Sequence, residues 1–269
     1  MKDEVYLGGA FPVARDLANF VKSVTLVSNG TTSIPTNLGN FSVSGPGEIV
    51  IKKTRFTFEG KNLFFLCDWP NHQDWPYPRE AFLGDIRRAI EEADIVIVFD
   101  YGHGLIDEAA ARLLSGESKF LAINCQANGG THPFNLVSKY LNPNLIALNE
   151  YEARLNLGQI RTVSQATLAR SLNKQTGANF TVVTDAARGS WLCKEKSVHH
   201  QRSLCKTIVD TIGCGDTMLG FAALAACRKF DARAILYIAS VAAAAKARMK
   251  VHERAINLKE LEDAIATVV

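Results

Sequence analysis

From Arg79 onward, short apolar runs alternate with stretches in which apolar side chains recur every three or four positions. The runs at 95–99, 120–123, 145–148 and 180–184 are rich in Val, Ile, Leu and Phe. A strand that is apolar at successive positions is buried on both faces, as in a parallel sheet covered by helices. The intervening stretches 81–92, 108–114, 166–173 and the one opening at Glu150 have helical periodicity. Residues 191–193 and 197–200 read as a hairpin, and 217–227, 232–246 and 258–268 as helices. The alternation predicts an α/β protein, a three-layer α/β/α sandwich around a mainly parallel central sheet, with 1–269 as a single domain.

The N-terminal part has a different texture. Gly8-Gly9 precedes the helical pattern Val13, Ala14, Leu17, Ala18, Phe20, Val21, and 23–27 reads as a short buried strand. Residues 29–47, rich in Gly, Ser, Thr, Asn and Pro, read as a loop. Strands are predicted at 49–51, 54–58 and 63–67, the last two joined by a hairpin turn at 59–62.

Composition narrows the function classes. A net charge of +3 with scattered Lys and Arg gives no footprint for nucleic acid. No apolar run approaches the roughly 20 residues of a membrane span, so a membrane partner is not expected. The six cysteines form no C-x-x-C pair and no signal peptide is seen, which predicts reduced thiols in a cytoplasmic protein.

The sharpest chemical signal is Asp210-Thr211-Ile212-Gly213-Cys214-Gly215-Asp216-Thr217, ahead of the apolar stretch 218–226. Glycines before a helix let successive N–H groups converge on one point. Helix N-termini attract anions because those N–H groups lack partners and the dipole is positive there. Asp216 taken alone reads as a helix cap. The next glycine after Gly215 is Gly220, so the run is not G-x-G-x-x-G, and no Gly-Lys-Ser or Gly-Lys-Thr follows. That spacing disfavours a dinucleotide-dependent oxidoreductase and excludes a Walker A loop.

The run resembles the D-T-x-G-A-G-D-T signature of ribokinase-type (PfkB) carbohydrate kinases, with Cys214 in place of Ala. Gly8-Gly9-Ala10 with Val13-Ala14 is similar to the family's G-G-A-x-N-V-A, and Asn149-Glu150-Tyr151-Glu152 to its N-x-x-E. Val183-Thr184 with Arg188-Gly189 resembles its nucleotide-side strand and turn. Lys53-Thr54-Arg55-Phe56, Leu66 to Asp68 and Asp100-Tyr101-Gly102-His103-Gly104 resemble the heptose 7-phosphate kinase branch, where the last segment commonly reads D-Y-G-K-G. Residues 120–128 with Asn149-Glu150 are similar to kinase-like domains fused to sugar nucleotidyltransferases.

The resemblance implies a ribokinase-like sandwich with a small, incomplete β-lid within about 42–68. It implies transfer of the γ-phosphate of ATP to a hydroxyl of a sugar or sugar phosphate. Asp216 would be the general base, and the N–H groups around Gly213, Cys214 and Gly215 the anion hole. Thr184, Arg188, Gly189, Asp210 and Thr211 would border the nucleotide, and Gly8, Gly9, Asp100, Gly102 and His103 the acceptor. Asn149 and Glu152 would orient water around Mg²⁺. In some relatives the region of Asp210 helps hold a monovalent cation. Further implied partners are a nucleotidyltransferase, fused or separate, and a second copy paired through the lids.

Plainer readings of these residues stay open: Gly8-Gly9 as a helix start, Asn149 to Glu152 as a capping box, Gly102-His103-Gly104 as a turn, and Lys53 or Arg55 as exposed strand charges. The chain also departs from the family. Pro12 stands where Asn is usual, Asn124-Cys125-Gln126 replaces D-P-K, and 251–254 lack a Gly-containing loop. The usual first central strand, its substrate-binding Asp and half of the lid are expected to have no counterpart in these residues. The departures favour a function of another class, a catalytically weak or inactive kinase-like module that binds a sugar phosphate or nucleotide and serves a nucleotidyltransferase.

Overall fold

The computed structural model describes residues 4–29, 40–45, 51–58, 61–68, 77–127, 135–158, 163–250 and 253–266. Helix α1 (Phe11–Leu17) carries Pro12 in its first turn, where a missing N–H is harmless. It stops short of the expected Phe20 and Val21, and a turn leads into β1 (Val24–Val27), in which Leu26 is the buried position. Residues expected in a loop form β2 (Phe41–Ser44), parallel to β1. The alternation Phe-Ser-Val-Ser is a half-buried strand pattern, too short to stand out from the Gly-, Ser- and Asn-rich run around it.

An antiparallel hairpin follows, β3 (Lys52–Phe58) and β4 (Lys61–Asp68). Lys61 and Asn62, expected in its turn, already belong to β4. The expected turn residues 59–60 and strand residues 49–50 lie outside the described residues. The alternating part comprises α2 (Arg79–Glu92), β5 (Val96–Asp100), α3 (Glu108–Glu117), β6 (Leu121–Cys125), β7 (Leu145–Asn149), α4 (Glu150–Asn156), α5 (Gln165–Thr176) and β8 (Phe180–Thr184). Then come β9 (Ser190–Lys194), β10 (Ser197–Gln201), α6 (Cys214–Cys227), α7 (Ala232–Ala247) and α8 (Leu258–Ala266).

Among the described residues, six strands join in the order β10-β9-β8-β7-β6-β5. β5 to β8 run parallel, and β9 and β10 are antiparallel to their neighbours. Successive residues of the parallel strands point into opposite layers. Ile123, Ile146, Leu148 and Val183 pack with Phe82 and Ile86 of α2 and Leu172 of α5. Ala122, Leu145 and Val182 meet Leu219 of α6 and Ile235 of α7 on the other face. The parallel strands are therefore mainly apolar on both faces because both are covered, giving the three-layer sandwich that the sequence predicts.

One turn of the sheet admits only glycine. Gly189, between β8 and β9, has φ +98°, and a Cβ there would run into the Gln201 carbonyl oxygen and lie 2.8 Å from Ser203 N. Gly189→Ala is expected to lower the unfolding free energy by about 1–3 kcal/mol. The check is a lower urea midpoint with an unchanged slope.

Candidate active site

The carboxyl ends of β5, β6, β7 and β8 line one edge of the sheet, with Asp100, Cys125, Asn149 and Thr184 as their last residues. Open α/β sheets bind ligands in the crevice beyond such ends. The start of α6 meets this edge. Gly213, its N-cap, has φ +81°, a left-handed conformation that glycine adopts without steric penalty, and no side chain caps the helix.

The preceding loop is tied down from two sides. Val209 and Asp210 donate their N–H groups to the Ala247 carbonyl at the end of α7 (2.7 and 3.2 Å), and Asp210 Oδ1 accepts from Ile212 N–H at 2.9 Å. Of the three N–H groups expected in the anion hole, that of Cys214 is engaged within the loop, donating to Thr211 O at 3.2 Å. Those of Gly213, Gly215 and Asp216 have no protein acceptor among the described residues, and a side chain at Gly215 would meet nothing within 4 Å. Free donors at a positive helix end with open space before them fit the phosphates of ATP. The Cys214 thiol, pushed up to about 12 chiefly by burial, stays neutral beside them.

The Asp216 carboxylate, partly exposed, is held by both oxygens. Tyr101 OH donates to Oδ2 at 3.2 Å and Gln126 Nε2 to Oδ1 at 3.0 Å. Shielding from water raises its pKa to about 6, against the two hydrogen bonds and the charge of Lys246, which favour the carboxylate. Tyr101 and Gln126 each follow the last residue of a parallel strand, and sequence reasoning gave neither a role. The available signal was that position, directly after the carboxyl ends of β5 and β6.

A cavity of about 2960 Å³ brings together Gly8, Gly9 and His103 of the expected acceptor side with Asp210, Gly213 and Asp216. Lys53 and Arg55 of the hairpin border it as well. Burial and Lys53 hold the His103 pKa below its ordinary value, so its ring is neutral at pH 7. Asp100 is placed differently, its carboxylate buried and occupied by the protein. It accepts from Gly102 N–H (3.0 Å) and Tyr140 OH (2.8 Å) and pairs with Lys139. It thus shapes the turn through Gly102 and stays off the cavity surface.

Asn149 and Glu152 form a complete capping box at the start of α4, with Glu152 N–H on Asn149 Oδ1 at 2.8 Å and Asn149 N–H on Glu152 Oε2 at 3.0 Å. The carboxyl group of Glu152 is nevertheless raised to about 7, first by burial and further by the nearby Asp216 charge. A buried acid beside a like charge is a position that a cation would relieve, so these residues fit Mg²⁺ as well as the cap. Thr184 sits beside Asn149 in register, Arg188 pairs with the Asp185 carboxylate, and Thr211 is exposed in the loop. These nucleotide-side residues and Gly189 lie outside the cavity.

Residues 108–251, more than half of the chain, match the pfkB family carbohydrate kinases. The chain belongs to this family. Within it, the chain is 24% identical over 224 residues to D-beta-D-heptose 7-phosphate kinase from Bordetella bronchiseptica, covering 79% of this chain and 69% of that one. It is 26% identical over 155 residues to bifunctional protein HldE from Helicobacter hepaticus, which is 55% of this chain and 31% of the relative. The chain thus spans about a third of that relative's length. Among solved structures, Escherichia coli phosphofructokinase-2 in complex with substrates and products superimposes with a TM-score of 0.73 at 15% identity, over 96% of this chain and 86% of that one. For 2-dehydro-3-deoxygluconokinase from Thermotoga maritima the TM-score is 0.71 at 15% identity, over 96% and 89%. At such identities these likenesses show the fold, a ribokinase-like sandwich.

Proposed function

We propose that this pfkB-family chain is an ATP-dependent kinase of a sugar phosphate, working in the cytoplasm as one kinase domain. The observation that carries the reading is Asp216, a carboxylate poised near neutrality at the open N-terminus of α6 and held on both oxygens by Tyr101 and Gln126. ATP with Mg²⁺ would supply an electrophilic phosphoryl group. Asp216 accepts the proton of the acceptor hydroxyl, and a base with its pKa just below the working pH combines the correct charge state with useful proton affinity. The N–H groups of Gly213 and Gly215 stabilise charge on the transferring phosphoryl oxygens. Glu152 and Asn149 would hold the metal's water. Thr184, Arg188, Gly189 and Thr211 would flank the nucleotide, and Asp210 would fix the loop with room for a monovalent cation.

A phosphorylated acceptor is favoured by Lys53 and Arg55. Burial and the neighbouring Arg55 charge lower the Lys53 pKa, a repulsion that an acceptor phosphate in the same cavity would relieve. Gly8, Gly9, Gly102 and neutral His103 would frame the sugar, with Asp100 holding the turn. The relatives named bifunctional protein HldE favour a nucleotidyltransferase, fused or separate, as a partner. Exposed Leu63, Phe64, Phe65 and Leu66 on β4 favour pairing of two copies through the hairpin.

The test is calorimetry of ATP with Mg²⁺, followed by ADP release with a panel of sugar phosphates. Binding with turnover on a sugar phosphate above the ATP-only background is expected. Binding with no turnover on any sugar would assign the chain to the kinase-like binding modules instead, and no binding at all would sink the reading.

A further inference from the structure

The two groups that hold Asp216 begin where the pairing of β5 with β6 ends. Asp100 with Cys125 is the last matched pair, and Gln126 N–H donates to Asp100 O at 2.8 Å as the final rung. Tyr101 and Gln126 come directly after these strand ends, and their side chains reach the two oxygens of Asp216. Two donors meet two oxygens of one carboxylate only while the spacing of the strand ends stays fixed.

Asn135 spans the same two ends. Its Nδ2 donates to Asp100 O and to Gln126 O, each at 3.0 Å, and lies 3.3 Å from Asp100 Oδ1. Its Oδ1 accepts from Lys139 Nζ at 2.9 Å, and Lys139 also pairs with the Asp100 carboxylate and donates to Ile106 O at 3.0 Å. A carbonyl oxygen only accepts and an ammonium only donates, so a single orientation of the amide satisfies all of these partners. The main chain is held as well, since Asn135 O accepts from the Cys125 thiol at 3.6 Å. Asn135 is 7% exposed and lies outside the cavity that Tyr101 and Gln126 border. The turn after Tyr101 rests on it. Gly102 has φ +71°, and a Cβ there would come within 2.9 Å of Asn135 Cβ.

We propose that Asn135 is a positioning residue for phosphoryl transfer, an amide clamp that fixes Tyr101 and Gln126 so that they orient the Asp216 carboxylate toward the acceptor hydroxyl. The plainer role for a buried amide is to satisfy the main chain it touches. Two features go against that. The Asp100 carbonyl already has a donor in Gln126 N–H, so its burial demands no second one. The two bridged carbonyls also belong to the peptide units next to Tyr101 and Gln126, whose side chains converge on one carboxylate. A misplacement of about 1 Å can cost about 10²-fold in rate, so a tie between the two holders of the base acts on catalysis without touching substrate. That consequence rests on the kinase reading, while the coupling of Asn135 to Gln126 and Asp216 does not.

The test is Asn135→Asp, nearly isosteric, which turns a carboxylate oxygen on the two carbonyls where the amide donated. In the folded variant kcat with a sugar phosphate is expected to fall about 10–100-fold, while the Kd of ATP with Mg²⁺ changes by less than about twofold in calorimetry. Asn135→Ser, whose single hydroxyl hydrogen cannot bridge both carbonyls, is expected to do the same without adding a charge. The readout that needs no turnover is the side-chain amide signal of Gln126 in NMR spectra. Asp216→Asn is expected to move that signal in the parent and to leave it in place in either Asn135 variant. An unchanged kcat with an unchanged response of the Gln126 signal would overturn the proposal. So would a parallel loss of kcat and ATP affinity, the mark of a residue that only supports the fold. A parent that turns over no sugar phosphate would sink the kinase reading alone, and the Gln126 signal then decides the clamp. In the parent itself the Asn135 side-chain amide hydrogens should exchange at least about tenfold more slowly than those of a free amide. Rapid exchange there would overturn the clamp even where neither variant folds.

Discussion

Asp216→Asn is expected to lower sugar-phosphate phosphorylation by about 10²–10⁴-fold while ATP binding persists, and to make the protein more stable at pH 8. The loss of rate follows from removing the proton acceptor while leaving the open N–H groups of Gly213 and Gly215 in place. The gain in stability follows from the direction of the pKa shift. Asp216 is raised from 3.8 to about 6, so the folded chain binds this proton more tightly than the unfolded chain. The ionised carboxylate therefore opposes folding above pH 6, and the opposition fades as pH falls from 6 towards 4. Partial solvent access and the hydrogen bonds that Asn loses leave a gain of about 1–2 kcal/mol at pH 8. Melting curves at pH 5 and pH 8 check this, with the advantage of the variant larger at pH 8. The parent's kcat/KM should fall below about pH 6, as the base takes up its proton. A variant that loses activity without gaining stability at pH 8 would mean that the Asp216 carboxylate is well solvated in the folded chain and its pKa is not raised.

The same residue marks the boundary of what the sequence discloses. The runs that became β5, β7 and β8 were legible because burial on both faces leaves an uninterrupted apolar signal. The loop at Asp210 to Asp216 was legible because its glycines and its carboxylate are local features. The partners of Asp216 were not, since Tyr101 and Gln126 lie 115 and 90 residues away along the chain and only the sheet order brings them together. Asp100 shows the converse. Its place at a strand end pointed to the acceptor, whereas Lys139 and Tyr140, from a stretch without a recognisable pattern, occupy its carboxylate inside the protein. β2 went unseen because four alternating residues in a Gly- and Ser-rich run carry too little signal. For Asn149 and Glu152 the cap and the metal reading use the same atoms, and no local pattern separates them.

Asp16→Ala is expected to destabilise the chain by about 3–5 kcal/mol, lowering the melting temperature by roughly 6–20 °C. Asp16 of α1 is fully buried and accepts from Lys246 Nζ of α7 at 3.0 Å and from Ile256 N–H at 2.9 Å. Burial holds its pKa above the ordinary carboxylate value in spite of the lysine, so desolvation outweighs the attraction. A pair in that balance adds little net stability, but removing one member strands the other charge in the core. Asp16→Leu with Lys246→Met should therefore recover most of the loss, short only of what the unsatisfied Ile256 N–H costs. The double variant also separates stability from catalysis. The α7 end that carries Lys246 also supplies the Ala247 carbonyl that anchors the loop at Asp210, and the Lys246 charge helps keep Asp216 ionised. With that charge gone, the Asp216 pKa must rise, and the acid limb of kcat/KM should move to higher pH even where the melting temperature is restored. An acid limb that stays in place would show that Lys246 acts on the fold alone and not on the base.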